Sequence, residues 1–165
     1  MIVAQITLAL AALLAAPPNP SAQEIIDKLA SPAAEAPGAS ARTRSLRNLQ
    51  PAERSIDMNV QFDFASANLT RDGREALQQL AIAMKAEQLA RMQFAIEGHT
   101  DAKGTAKYNL DLSARRAKSV VDYLGSQGID TARLEPVGKG FNELLNEQDP
   151  LAAENRRVRI VALTP

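Results

Sequence analysis

Ser55-Ile56-Asp57-Met58-Asn59-Val60-Gln61-Phe62-Asp63-Phe64 alternates polar and apolar residues without a break. On an extended chain this puts Ile56, Met58, Val60, Phe62 and Phe64 on one side and the polar residues on the other. Such a pattern predicts a strand with one buried face. Just downstream, Thr70 is placed to cap a helix. In that helix Leu77, Leu80, Ala81 and Met84 form an inward stripe, with Arg74, Lys85 and Glu87 outward.

Alternation returns at Met92, Phe94 and Ile96, opposed by Gln93 and Glu97, and predicts a second strand. That strand leads into Gly98-His99-Thr100-Asp101 and a loop through Gly104. A second helix follows over residues 107–126, and Gly128 suits its C-terminal stop. Its expected buried stripe is Leu110, Ala114, Ala117, Val120, Val121 and Leu124, an arc of about 120°. Residues 134–138 predict a third strand, which Pro136 directs to a sheet edge. Residues 140–154 are loop-like, and residues 158–163 form a closing strand. The order is β-α-β-α-β-β, an α/β (α+β) two-layer sandwich with parallel units early and a mixed sheet.

Upstream, residues 2–16 are apolar except Gln5 and Thr7, and small residues follow. This predicts a secretory leader over residues 1–22, too short for the ~20 residues of a spanning helix. Residues 23–54 divide into a short helix with Ile25, Ile26 and Leu29 at helical spacing and a flexible linker rich in Ala, Pro, Ser and Arg. Two helical turns are not stable alone. The folded domain is expected over residues 55–165.

Charge narrows the partners. The 19 basic and 19 acidic residues cancel, so no nucleic-acid partner is expected. With no cysteine, disulfides, thiolate metal sites and cysteine nucleophiles are excluded, and no covalent lipid anchor on cysteine is expected. His99 is the only histidine. It cannot build a histidine-rich metal site, and a buried, hydrogen-bonded structural role is expected, with no metal or cofactor. Neither a zinc nor a thiol mechanism has its residues, and no carboxylate pair stands out, so no enzyme is expected.

Several polar residues remain as candidates. Arg116 and Asn109 share one margin of the second helix's apolar stripe, where a guanidinium can pack along its stem and keep its fork open. Arg116 is otherwise a structural arginine paired with a carboxylate such as Asp101. Asp101 is otherwise a turn residue bonding nearby N–H groups. Thr100 offers its hydroxyl to a ligand or to the loop. Of Arg156, Arg157 and Arg159, solvated by default, Arg157 is the one expected to reach a site.

Taken together, these segments resemble the outer membrane protein A-like (OmpA-like) peptidoglycan-binding domain family. That family is shared by the C-terminal half of outer membrane protein A, the peptidoglycan-associated lipoprotein and the flagellar stator protein B. The matching segments are Phe62-Asp63-Phe64-Ala65-Ser66-Ala67 with Leu69, Gly98-His99-Thr100-Asp101 with Gly104, and Tyr108-Asn109 with Leu112-Ser113-Ala114-Arg115-Arg116-Ala117 and Val120. Gly138 with Gly140, and Asn155-Arg156-Arg157-Val158, complete them.

The resemblance implies non-covalent binding of peptidoglycan through the meso-diaminopimelate of its stem peptide, in the periplasm at or near the outer membrane. Carried over by position, Asp101 receives the ligand's ammonium and Arg116 its carboxylate. Asn109 and amides near the helix start hold the remaining oxygens, with Thr100, Arg157 and Asn68 as further candidates. Ala65 stands where the family often carries an acidic or polar residue. The alternative is a periplasmic interaction protein that recruits an envelope partner through residues 23–54.

Overall fold

The structure, a computed structural model, describes residues 19–30 and 54–163. The expected leader lies outside them apart from residues 19–22, as does the expected linker over 31–53. Among the described residues, three helices and four strands run in the order α1 (Ala22–Ala30), β1 (Ser55–Met58), α2 (Arg71–Lys85), β2 (Gln93–His99), α3 (Ala106–Ser126), β3 (Leu134–Gly140) and β4 (Val158–Leu163). Short 3-10 turns at Thr131–Arg133 and Ala153–Asn155 precede β3 and β4.

The sheet order is β1-β4-β2-β3. β4 enters between β1 and β2 and runs antiparallel to both. β1 and β2 therefore point the same way without touching, and the first crossover steps over a strand that arrives last. β2 and β3 are parallel neighbours joined through α3. The sheet is mixed, as the element order predicts. Pro136 lies in β3 at the edge, where a missing N–H leaves no ladder partner wanting.

Periodicity gave the elements well and one boundary poorly. The alternation from Ile56 runs to Phe64, but β1 ends at Met58. Met58 pairs with Val158, the first residue of β4, so no partner strand extends further. Val60 stays buried and Phe62 bridges back to Leu69, while Phe64 is 95% exposed at the tip of the turn between them. Ala65 in that turn has φ +50°, a left-handed conformation that a non-glycine residue seldom adopts.

The core lies between the sheet and the helices. Ile56, Ile160 and Ile96 line up across three strands. Leu77, Leu80 and Met84 of α2 and Val120 and Leu124 of α3 are buried against the same cluster. The cap is as expected, Gly73 N–H donating to Thr70 Oγ1 at 3.1 Å.

The first half of α3 is rotated from its expected setting. Leu110 and Ala114 are exposed, whereas Leu112 and Ser113 are buried. The cause is two glycines beneath the helix. A Cβ on Gly98 would collide with the Ser113 carbonyl, and one on Gly138 would meet Ala114 Cβ at 2.8 Å. Without those side chains the helix backbone settles onto the strands, and small or polar residues face inward there. Ser113 then bridges, donating to Leu110 O and accepting from Gly140 N–H, both at 2.9 Å.

α1 is built into this core. Ile25 and Leu29 are completely buried in the cluster that α2 and the sheet supply. Its start is a reciprocal cap. Ser21 N–H donates to Glu24 Oε2 at 2.7 Å and Glu24 N–H donates to Ser21 Oγ. Asn19 donates to Asn59 O and accepts from Asn59 N–H, fastening the segment to the end of β1. Docking supplies the stability that two isolated turns lack.

Candidate functional site

Three loops meet at one end of the sheet: the connection from β2 to α3, the turn carrying Phe62 and Ser66, and the long segment leading into β4. Asp101 opens the first. Its Oδ1 accepts from Lys103 N–H at 3.2 Å, the expected turn role. Its Oδ2 accepts from Arg156 Nη1 at 2.9 Å. The Asp101 side chain retains 16% exposure, so its carboxylate remains in reach of solvent.

Arg116 comes from the middle of α3. Its Nε donates to Ser66 O at 2.9 Å, and its guanidinium carbon stands 4.9 Å from the centroid of the Phe62 ring. Stacking and one hydrogen bond hold the plane, while the two terminal nitrogens bond to nothing among the described residues. Burial lowers the Arg116 pKa. Tyr108 opposes this, Arg156 adds to it, and Asp101 opposes it. Arg116 thus shares one electrostatic neighbourhood with Asp101 and Arg156, although Asp101 makes its ion pair with Arg156.

A groove of about 960 Å³ runs past this point. Phe62, Arg116, Arg156 and Arg157 line one part of it, and Asn19, Glu24 and Lys28 line another. The segment around α1 thereby contributes a wall.

The other expected residues divide by what they touch. Asn109 is buried, and its Nδ2 donates to Lys103 O at 2.9 Å, which braces the loop that Asp101 opens. Thr100 is buried with its hydroxyl unpartnered among the described residues, and its amide donates to Gly140 O. Asn68 is exposed in the turn beside Ser66, its amide donating to Ser66 Oγ. Arg157 is 7% exposed and committed: Nε donates to Asp57 Oδ1 at 2.8 Å and both terminal nitrogens to Glu143 O at 3.2 Å.

The arginine that reaches Asp101 is therefore Arg156, its side chain 48% exposed. Strand alternation could not find it, because Arg156 precedes β4 and follows a 3-10 turn. The available signal was Asn155 beside it. Asn155 is fully buried, and it donates to Asn146 O and Asp149 O and accepts from Asn146 N–H, which sets the loop's exit.

The OmpA family pattern matches residues 61–158. Outer membrane protein A of Bordetella avium is 44% identical over 101 residues, 60% of this chain and 51% of that protein. The peptidoglycan-associated lipoprotein of Pseudomonas aeruginosa is 37% identical over 101 residues, 60% of this chain and 58% of that one. The chain thus spans between half and three-fifths of the length of these two relatives. Among solved structures, the peptidoglycan-associated lipoprotein of Burkholderia pseudomallei aligns with TM-score 0.54 and 33% identity, covering 63% of this chain and 88% of that one. The cell wall anchor of the T6SS from Pseudomonas aeruginosa aligns with TM-score 0.55 and 26% identity, covering 67% and 81%. The matched segment holds β2, α3, β3 and every candidate residue named above, and the chain belongs to the OmpA family.

Proposed function

We propose that this chain binds peptidoglycan non-covalently in the periplasm, through the meso-diaminopimelate of the stem peptide, and so attaches part of the cell envelope to the wall. The observation that carries this reading is the unbonded end of the Arg116 guanidinium on the wall of an open groove, within electrostatic reach of the Asp101 carboxylate that Arg156 of the same wall ion-pairs. The relatives support it, one being named a peptidoglycan-associated lipoprotein and another a cell wall anchor.

The chemistry follows from charge and shape. The side-chain end of diaminopimelate carries an ammonium and a carboxylate a few ångströms apart. A zwitterion of that kind needs one anion and one planar cation at matching separation. Asp101, oriented by Lys103 N–H and Arg156, takes the ammonium. Arg116, its plane set by Phe62 and Ser66 O, offers two parallel N–H groups to the carboxylate. Each charge-assisted bond contributes about 1.5–3 kcal/mol. Thr105 caps Tyr108 N–H, which leaves the first amides of α3 for further ligand oxygens. The role is binding, with no bond made or broken. The export leader expected over residues 1–22 belongs to this reading, and Asn19 and Ser21, at its end, make contacts that hold α1.

The alternative, recruitment of a partner through residues 23–54, rested on Ile25, Ile26 and Leu29. Ile25 and Leu29 are used inside the protein's own core, which favours the wall reading. Purified protein is expected to co-sediment with diaminopimelate-containing sacculi, and Asp101→Ala or Arg116→Ala to stay in the supernatant while folded. If both variants sediment like the parent, the assignment fails.

A further inference from the structure

A second cluster lies on the face of the sheet turned away from α2 and α3. Glu97 and His99 are two positions apart on β2 and so share that face. Lys139 of β3 and Glu143 of the following loop join them. Lys139 Nζ lies 3.2 Å from Glu97 Oε1 and 2.9 Å from Glu143 Oε1, one ammonium between two carboxylates. The His99 ring has no exposed surface, and neither of its nitrogens has a hydrogen-bond partner among the described residues. Its Nε2 is directed at Glu97 Oε2 from 3.7 Å, beyond hydrogen-bond length. The ring is buried as expected, but neither nitrogen makes a hydrogen bond of ordinary length among the described residues. A buried imidazole with Nδ1 unpartnered and Nε2 facing only the Glu97 carboxylate calls for an explanation, and an ion is one of the few that suits it.

We infer that Glu97, His99 and Glu143 form a site for a divalent transition-metal ion of the zinc type, with Lys139 serving as counter-cation when the ion is absent. One ligand atom from each of the three lies within 4.8 Å of the other two. Zinc holds such atoms at about 2.0–2.2 Å in a tetrahedron, so they must close to roughly 3.4 Å apart. Glu143 is the group free to close that distance, its side chain being 45% exposed. One imidazole nitrogen with two carboxylate oxygens suits zinc better than calcium or magnesium, which prefer oxygen alone. A fourth position stays open to water.

Binding releases Lys139 from both carboxylates. Its side chain is already 29% exposed, so part of the path to solvent is open. The ion would tie the end of β2 to the loop after β3. In that loop the Glu143 carbonyl also accepts both terminal nitrogens of Arg157. Metal binding therefore fastens the segment that leads to Arg156 and Asp101, and it does not depend on the wall-binding reading.

Because His99 is the only histidine in the chain, its ring signals report this site alone. The test is a titration of the full chain with zinc chloride, followed by NMR of the imidazole and by competition with a chromophoric chelator. One equivalent of zinc is expected to shift the His99 ring resonances. Glu143→Gln, at a half-exposed position that leaves the fold intact, is expected to weaken binding at least about tenfold. Lys139→Met, which removes the competing ammonium, is expected to tighten it. The inference is overturned if zinc leaves the His99 signals unmoved, or if both variants bind zinc as the parent does.

Discussion

Asp101 receives its ion pair from Arg156 at 2.9 Å, across 55 positions of sequence, and Arg116 feels the same carboxylate's charge without bonding to it. The two cations have different constraints. Arg156 is half exposed, whereas Arg116 is stacked on Phe62 and anchored at Nε. An exposed pair of this kind contributes under about 1 kcal/mol to stability. Arg156→Ala is therefore expected to leave the urea midpoint nearly unchanged and to weaken sacculus binding by less than tenfold. Asp101→Ala is expected to abolish that binding. Equal loss in both would make Arg156 a principal ligand group.

Arg116→Lys separates charge from shape. Lysine keeps the positive charge but loses the planar fork and most of the stacking on Phe62. Co-sedimentation is expected to fall at least about tenfold, because two parallel bonds become one, while circular dichroism stays native. Full retention of binding would mean that only charge matters at this position.

Leu29→Ala and Ile26→Ala test where α1 belongs. Leu29 is fully buried and Ile26 only partly. Leu29→Ala is expected to cost about 2–4 kcal/mol, and Ile26→Ala clearly less, as read by urea denaturation. A recruiting surface would show the reverse, with little effect on stability and a lost partner.

Gly98→Ala is expected to destabilise by about 1–3 kcal/mol through overpacking, because its new Cβ meets the Ser113 carbonyl. The melting temperature should drop, and amide exchange in the first half of α3 should accelerate. An unchanged melting temperature would mean that α3 does not rest on the strand as described.

The Glu97, Lys139 and Glu143 cluster makes stability depend on pH at both ends. His99 foremost, and Lys139 after it, hold the Glu97 pKa below the ordinary 4.5 against the effect of burial. A carboxylate lowered by folding stabilises above its unfolded value, and that contribution disappears as pH falls through the folded one. Glu143 chiefly, with Glu97 behind it, raises the Lys139 pKa above 10.5. That contribution is complete below 10.5 and is lost as pH rises through the higher folded value. Lys139→Met is expected to cost about 0.5–1 kcal/mol between those limits, and the two proteins should converge as pH falls well below 4.5. A constant difference down to acid pH would contradict the pairing.

The sequence by itself determined the kinds of element and the family. Period two at Ile56 and Met58 and at Phe94 and Ile96, the Thr70 cap, and the stripe from Leu77 to Met84 are local, and each was visible without knowing its neighbours. The Gly98-His99-Thr100-Asp101 and Leu112-to-Ala117 segments carried the family resemblance for the same reason. Tertiary structure alone decided what those elements meet. Phe64 continues the alternation but is exposed, because β4 begins opposite Met58 and pairing stops there. Arg156 rather than Arg157 reaches Asp101, because a turn interrupts the strand phase between them. Ile25 and Leu29 fill the domain's core, and Glu143 comes to His99, across gaps in sequence that no local period spans. Periodicity reports which side of an element is apolar. Which surface lies against that side is settled only when the chain closes on itself.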